Sequence, residues 1–597
     1  MELKRSEMHR KRDALRRAMR ASLCRGHSAD VLRLIATESD FDDWPSLARI
    51  SQLFFRSTIP LIWWKVDGVR KVLALIPGVR MRESKIKFPR IDSKGLTRLK
   101  FYAPFVRSLE IYGKNDEEYR VENWQELGKH ARVAALFPNL VQLTLAVPDL
   151  IESQQQLLWT QMFLAPTVLD FRIIEPNGYS PLINMSTALY LLRHLSVIAP
   201  GIQRLSLPIQ SVSDHDPVDK FAEVVRFWEP PLYDYLGKLT ALRELTCTEM
   251  FLIPETFSAI ARLNNLNVLN IWVDSADPRI TLDLDQKCTP ASAFPALEQL
   301  SIRNADVADI WTVLECLVFQ KVSSLRLGIK CQPEDEEVAS GDPWEYHLIE
   351  LIARACPRLT YLRIDFDECD QYDEARNLLW PSRSESDALM AMSKLPLETV
   401  YISSAILVST DLNFPIDPIY NADYLMIAWP QVTRIHLPRL LGQFPCLYEF
   451  SRLPNLQELT LRLMLHYYSF NEDDFNFQDD LDKLPTGSSP LRTLGASSST
   501  WDIEVESDLT ARTLLHFWPS LERIAFCLDP GDTVEDYHPS VIADIDETNE
   551  AIKRLRVSQI TSVETSSKDK ETVLDPELVE APAEGDLSDY AQGDSRR

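Results

Sequence analysis

Apolar residues along Leu453–Leu463 (LPNLQELTLRL) recur at an interval that suits neither an amphipathic helix nor a simple strand. Leu456, Leu459 and Leu461 stand at i, i+3 and i+5, with Glu458, Thr460 and Arg462 at i+2, i+4 and i+6. That order describes a bend followed by a short strand whose i+3 and i+5 side chains turn inward and whose even positions turn out. Phe137–Val147 (FPNLVQLTLAV) and Phe294–Arg303 (FPALEQLSIR) repeat the phrase. Between such phrases the period changes to that of a helix. Glu345–Ala355 (EYHLIELIARA) gathers Leu348, Ile349, Leu351 and Ile352 on one broad face before Cys356-Pro357. Thr187–Ile198 and Ser384–Met392 read the same way. The chain predicts a strand, a loop and a helix, many times over.

The first apolar position of the phrase, here called the anchor, occurs fourteen times: Val106, Leu140, Val168, Ile202, Leu242, Leu266, Leu297, Val322, Leu359, Leu397, Val432, Leu456, Leu491 and Leu521. Neighbouring anchors are 24 residues apart at the closest (Val432 to Leu456) and 40 at the widest (Ile202 to Leu242). Nine have a proline two residues ahead, among them Pro138, Pro295 and Pro454. A proline there ends the preceding helix and holds the residue before it extended. This recurrence resembles the leucine-rich repeat, in which every unit adds one strand to a parallel sheet. The expected fold is therefore α/β: a leucine-rich-repeat solenoid over residues 78–528, with a parallel concave sheet and outer helices. Residues 529–597 are acidic, rich in Ser and Thr and poor in aromatics. They are expected to be largely disordered, with Lys553–Val557 as the candidate for a last helix.

Residues 28–77 form a different, helical segment. Val31, Leu32, Leu34 and Ile35 make a short apolar helix, and Asp40–Pro45 (DFDDWP) offers a turn and an N-cap. Ser46–Trp64 (SLARISQLFFRSTIPLIWW) fits two short helices broken near Pro60. Leu47-Ala48-Arg49-Ile50, Phe54 or Phe55, Leu61-Ile62-Trp63 and Val66 resemble the later half of the F-box. Asp67–Pro77 (DGVRKVLALIP) resembles the segment that follows the box in fungal F-box-like proteins with leucine-rich repeats. At the start, His27-Ser28-Ala29-Asp30 stands where the family has Leu-Pro. The resemblance implies a small α-helical F-box-like cap ahead of the solenoid. It further implies a substrate-recognition subunit of an SCF-type cullin ubiquitin ligase, without activity of its own and acting as a monomer within the complex. Leu32, Ile35, Leu47, Ile50, Leu53, Leu61 and Trp63 would then touch the ligase's F-box adaptor subunit. The other reading of this segment is a helical cap that only seals the first repeat, leaving a protein-interaction scaffold.

Charge and composition narrow the function further. The net charge of −25 argues against nucleic acid as the main partner. Residues 1–27 run the other way, with Arg10, Lys11, Arg12, Arg16 and Arg17 in one basic arm. The arm reads as a solvated helix, a disordered segment or a nuclear-import signal. Nine cysteines are scattered without a CxxC pair, as expected of buried thiols in a reducing compartment. No apolar run approaches the roughly 18 residues that span a bilayer. A soluble cytoplasmic or nuclear protein with no membrane contact is expected.

Glycine spacing removes most enzymatic readings. The closest of the 17 glycines are eight residues apart, whereas a dinucleotide fingerprint needs two, a nucleophile elbow four and a Walker loop five. Cys24 and His27 form an isolated CxxH, there is no HExxH, and the acidic stretches lack the spacing of a calcium loop. The sequence therefore predicts no catalytic residue, cofactor or metal.

What remains is the outward face of the strands. Equivalent positions in successive repeats stack about 4.8 Å apart. The i+4 column runs Arg326, Arg363, Tyr401, His436 through four consecutive repeats, and flanking columns add Arg303, Tyr361 and Arg434. Like charges on adjacent strands repel, so the arginines need a counter-charge. Either Asp365, Glu458 or loop carboxylates supply it, or an acidic or phosphorylated protein substrate docks on these seven residues.

Overall fold

A computed structural model describes residues 34, 37–39, 43–82, 85–92, 94–113, 119–145, 153–173, 183–209, 231–273, 293–315, 317–330, 344–367, 391–403, 425–465, 485–497, 507–527 and 539–570. Fifteen strands form one sheet in strict sequence order, every neighbouring pair parallel. They are β1 Lys65–Asp67, β2 Ser108–Glu110, β3 Gln142–Thr144, β4 Asp170–Arg172, β5 Arg204–Leu207, β6 Glu244–Thr248, β7 Val268–Trp272 and β8 Gln299–Ala305. The series continues with β9 Ser324–Lys330, β10 Tyr361–Asp367, β11 Thr399–Ser403, β12 Arg434–Gly442, β13 Glu458–Leu463, β14 Thr493–Ser497 and β15 Arg523–Cys527. Each of the fourteen anchors is buried and lies two residues ahead of a strand, from Val106 before β2 to Leu521 before β15. The chain folds as a leucine-rich-repeat solenoid.

The inward apolar positions follow the sequence pattern, while some outward ones, such as Asp170, Ser301 and Thr460, are buried as well. Leu143, Leu145, Leu300, Ile302, Leu459 and Leu461 all lie in one core that runs from Val66 to Ile552. Helices such as Met185–Ile198 and Trp344–Ala355 close that core from the other side. Met185–Ile198 starts where the Asn184 side chain accepts a hydrogen bond from the Thr187 N–H (2.8 Å), and it buries Leu191, Leu192 and Leu195. Residues just before the anchors stitch repeats together. The amides of Asn139, Asn265 and Asn455 donate to the carbonyls of Pro104, Thr240 and Pro430 in the preceding turn, at 2.8, 2.9 and 3.2 Å. These bonds satisfy carbonyls at turns that carry no strand partner.

Three elements differ from the sequence expectation. The sheet begins one strand early, at β1, inside the stretch read as a helical cap. Trp63 stands two residues ahead of β1, and the N–H groups of Arg107 and Ser108 donate to the Trp64 carbonyl. The same bonds join Val141 and Gln142 to the Arg107 carbonyl one repeat later, so Trp63 holds the anchor position of a first repeat. Second, the break expected near Pro60 falls instead between helices Trp44–Ala48 and Gln52–Ile62. Ser51 caps the second helix by accepting from the Phe54 N–H, and Pro60 sits in its last turn, where the helix gives up only the bond back to the Arg56 carbonyl and ends shortly after. Third, Pro539–Lys570 is one long helix. Its Val541, Ile545, Ala551 and Ile552 join the core beside the last repeat. Residues 1–33 and 384–390 lie outside the described residues, and with them the basic arm and most of the helix expected at Ser384–Met392.

Candidate functional site

The concave face brings the predicted column together. Ser301, Arg326, Arg363, Tyr401, His436 and Thr460 are direct register partners across β8 to β13. Tyr361 and Arg434 occupy the adjoining column, both opposite Thr399. The expected internal counter-charge is also present. Asp365 accepts from the Arg363 Nε at 2.7 and 2.9 Å, from the Arg326 Nε at 3.2 Å and from the Ser403 hydroxyl at 3.2 Å. Glu458 lies 3.4 Å from Arg434. Burial alone would lower the Arg363 pKa, but the hydrogen bonds and charge of Asp365 outweigh it and the net shift is upward. The guanidinium also lies 4.0 Å from the centre of the Tyr401 ring. Beyond it, the His436 Nδ1 is 3.0 Å from the Thr460 hydroxyl.

Arg303 is set apart by a bulge. Register between β8 and β9 slips after Ile302, so Arg303 and Asn304 both stand against Gly328. Asn304 takes a left-handed φ of 55°, held by its side-chain amide on the Val273 carbonyl at 2.6 Å. A Cβ on Gly328 would come within 3.2 Å of the Arg303 Cα, tighter than an ordinary van der Waals contact, so a larger residue would press on the bulge. The bulge leaves the Arg303 guanidinium 5.3 Å from the centre of the Trp272 ring, with its Nε 3.3 Å from the Ser301 hydroxyl. Burial, and then repulsion from Arg326 and Arg363, hold its pKa below the ordinary arginine value.

A second charged knot went unmarked in the sequence. The buried Asp170 pairs with Arg172 (2.7 and 2.9 Å) and Arg204 (2.9 Å), and Arg204 faces Glu244 across the next strand. Two acids and two arginines balance there. The signal was available in the i+2 column, where Asp170, Arg204 and Glu244 alternate in sign. The i+4 column, by contrast, starts with two acids: Asp67 and Glu110 are register partners on β1 and β2, where burial and the Asp67 charge raise the Glu110 pKa.

The cap residues separate into three groups. Leu47 is buried with Phe54 in a small core of its own, against Trp44 and Leu61. Trp63 packs on the first repeat, its ring 4.8 Å from that of Tyr102. Ile50 and Leu53 remain 44% and 43% exposed. Leu32 and Ile35 lie outside the described residues. Two further aromatics, Trp64 and Phe101, are exposed, and Phe101 stacks on Phe55 of the cap at 6.4 Å. Their signal in the sequence was only that of apolar residues at repeat-one positions. Among the described residues no cluster of metal-ligating side chains occurs, and no helix is long and apolar enough to cross a membrane.

No protein-family model and no curated protein matches the chain. Among solved structures, an internalin of Listeria monocytogenes is similar over 71% of this chain and 89% of its own, at 12% identity and a TM-score of 0.28. TLR13 from its complex with ssRNA is similar over 73% of this chain and 68% of its own, at 13% identity and a TM-score of 0.21. The fold assignment itself rests on the strand register described above.

Proposed function

We propose that this chain is a substrate-recognition subunit of an SCF-type cullin ubiquitin ligase, with the cap meeting the ligase's F-box adaptor subunit and the concave face holding an acidic protein substrate. The observation that carries the reading is the exposure of Ile50 and Leu53 on a cap in which Leu47 and Phe54 are buried. Apolar residues exposed side by side mark a contact surface when they form a contiguous patch. Capture of the chain by the purified adaptor subunit tests it. Wild type should be retained, and Ile50→Asp with Leu53→Asp should not be, at unchanged thermal stability. Retention of both, or of neither, ends the ligase assignment.

A second reading, a repeat scaffold without ligase association, draws support from Trp63. That residue serves the first repeat as its anchor and stacks on Tyr102, so at least one F-box-like position is used by the solenoid itself. On either reading the concave face from β8 to β13 is the partner surface. It combines arginine and tyrosine, the side chains that most often anchor protein contacts, on a chain whose overall charge is negative.

A further inference from the structure

A second, smaller sheet is inserted in the chain between β1 and β3. Its strands are Arg80–Arg82, Lys85–Lys87 and Arg120–Glu122, the middle one antiparallel to the first and parallel to the last. Met81, Ile86 and Val121 form one row across it, turned into the solenoid core. Arg70 ties the sheet down: its guanidinium donates to the Arg82 carbonyl at 2.8 Å and lies 4.7 Å from the centre of the buried Tyr119 ring. The other face is charged. Arg82, Lys85 and Arg120 stand side by side in one row, and Arg80, Lys87 and Glu122 in the next. Glu122 pairs with Lys85 and Lys87, while Arg80, Arg82 and Arg120 meet no carboxylate among the described residues. Five positive charges share one negative. The wider sequence keeps that sign: residues 65–132, with Glu83, Asp116, Glu117 and Glu118 included, hold sixteen Lys and Arg against nine Asp and Glu, on a chain of net charge −25. Like charges in register on neighbouring strands repel, so this face stands in need of a counter-charge.

We propose that Arg80, Arg82, Lys85, Lys87 and Arg120 form a docking surface for an acidic segment of a partner protein, laid on in extended form with carboxylates at alternate residues. It is a third surface, separate from the cap and from the concave arginines, and it stands whether or not the ligase reading holds. Side chains on one face of an extended chain recur about every 6.6–6.8 Å, the same interval that separates the two basic rows. A segment lying along the strands therefore sets one carboxylate over Arg82, Lys85 and Arg120 and the next over Arg80 and Lys87. The guanidinium groups can each grip a carboxylate with two hydrogen bonds. Other polyanions fit less well. None of the six outward residues is aromatic, to stack a base, or apolar, to enter a bilayer. A nucleic acid or a membrane would also reach past the patch to the rest of the chain, whose charge repels both.

Fluorescence anisotropy on the full chain, with a labelled peptide of alternating Glu and Ser, tests the surface. The peptide should bind, one of alternating Lys and Ser should not, and added sodium chloride should weaken the binding. Arg82→Gln with Arg120→Gln should weaken it about tenfold or more. The melting temperature of that variant should hold or rise, since a repulsion is removed. Lys321→Gln, at an exposed cation on a distant turn, should change nothing. The concave arginines would attract the same peptide, so zero-length carbodiimide coupling fixes the place: peptide carboxylates should be joined to Lys85 and Lys87. Wild-type affinity in the double variant, or coupling at neither lysine, overturns the surface. Single-stranded oligothymidylate or phosphatidylserine vesicles outbinding the peptide overturn the assignment to a protein segment. Dimerisation of the wild type that is lost in the double variant overturns a separate partner in favour of a second copy of this chain.

Discussion

At the scale of single residues, Asp365 decides how the concave face can be tested. Removing Arg326 and Arg363 together would strand a half-buried carboxylate, so a loss of binding would be confounded with a loss of stability. Asp365→Asn alone should destabilise the fold by about 1–3 kcal/mol, because two guanidinium groups lose their shared acceptor charge. The uncharged set Arg326→Gln, Arg363→Gln and Asp365→Asn should cost less than Asp365→Asn while abolishing attraction for an acidic partner, and chemical denaturation compares them directly. Glu449 offers a test with a pH sign. It is 2% exposed on the helix Phe444–Ser451, and burial, opposed by Arg452, pushes its pKa up to about 8. The folded chain therefore keeps a proton that the unfolded chain releases near 4.5, so stability falls as pH rises towards about 8 and then levels off. Asp309, with a pKa raised to about 6 by burial and Asp306, adds a similar slope at lower pH. Between pH 6 and 8 the fall in melting temperature should thus shrink in Glu449→Gln and persist in Asp309→Asn.

At the scale of elements, the repeat strands were legible and the ends of the solenoid were not. Every strand from β2 to β15 announces itself by a buried anchor and apolar residues at i+3, and most keep the pattern at i+5, as in Leu456, Leu459 and Leu461. Leu459→Ala should accordingly cost about 2–5 kcal/mol, read as a fall in denaturation midpoint. β1 escaped notice because its anchor is the bulky Trp63, because Gly68 fills its i+5 position and because the surrounding apolar residues fit a helix equally well. The bulge at Arg303 was invisible for another reason: Asn304, which takes the left-handed φ, and Gly328, which lies against it on the neighbouring strand, are far apart in the sequence. The extent of the last helix was hidden by its composition: only Lys553–Val557 read as helical, since Pro539–Lys570 is mostly polar and turns only a sparse apolar stripe inward. Its contribution is partly a hydrogen-bonding one. The Asn549 side chain accepts from the Ile524 N–H at 2.7 Å and donates to the Ile524 carbonyl at 3.0 Å, giving the edge strand β15 the pair of bonds a sixteenth strand would make. Asn549→Ala should leave both backbone groups unmet and cost about 1–3 kcal/mol in the same denaturation assay.

At the scale of the whole molecule, the cap and the concave patch are far apart along one continuous sheet. Eight strand steps separate β1, beside the cap, from β9, which carries Arg326. At about 4.8 Å per step they lie on the order of 40 Å from each other along the face. Changes at sites more than roughly 10 Å apart with no shared partner add independently. Repeats also contact only their neighbours, so a local change at either end is not passed along a common core as it would be in a globular domain. Electrostatics reaches further than packing but not that far, because the screening length is about 8 Å at physiological salt. Binding at the cap and binding at the concave patch should therefore be energetically separate. Ile50→Asp with Leu53→Asp should abolish capture by the adaptor subunit and leave affinity for the acidic substrate within twofold of wild type. Arg303→Ala should do the reverse. The two differ in their response to salt as well: raising sodium chloride from 50 to 500 mM should weaken the concave contact, which rests on charge, far more than the apolar cap contact. Calorimetry of each contact in both variants reads all four quantities. A cap variant that shifts affinity at Arg303 would mean the solenoid transmits strain along its length, and the two surfaces would then have to be treated as one coupled site.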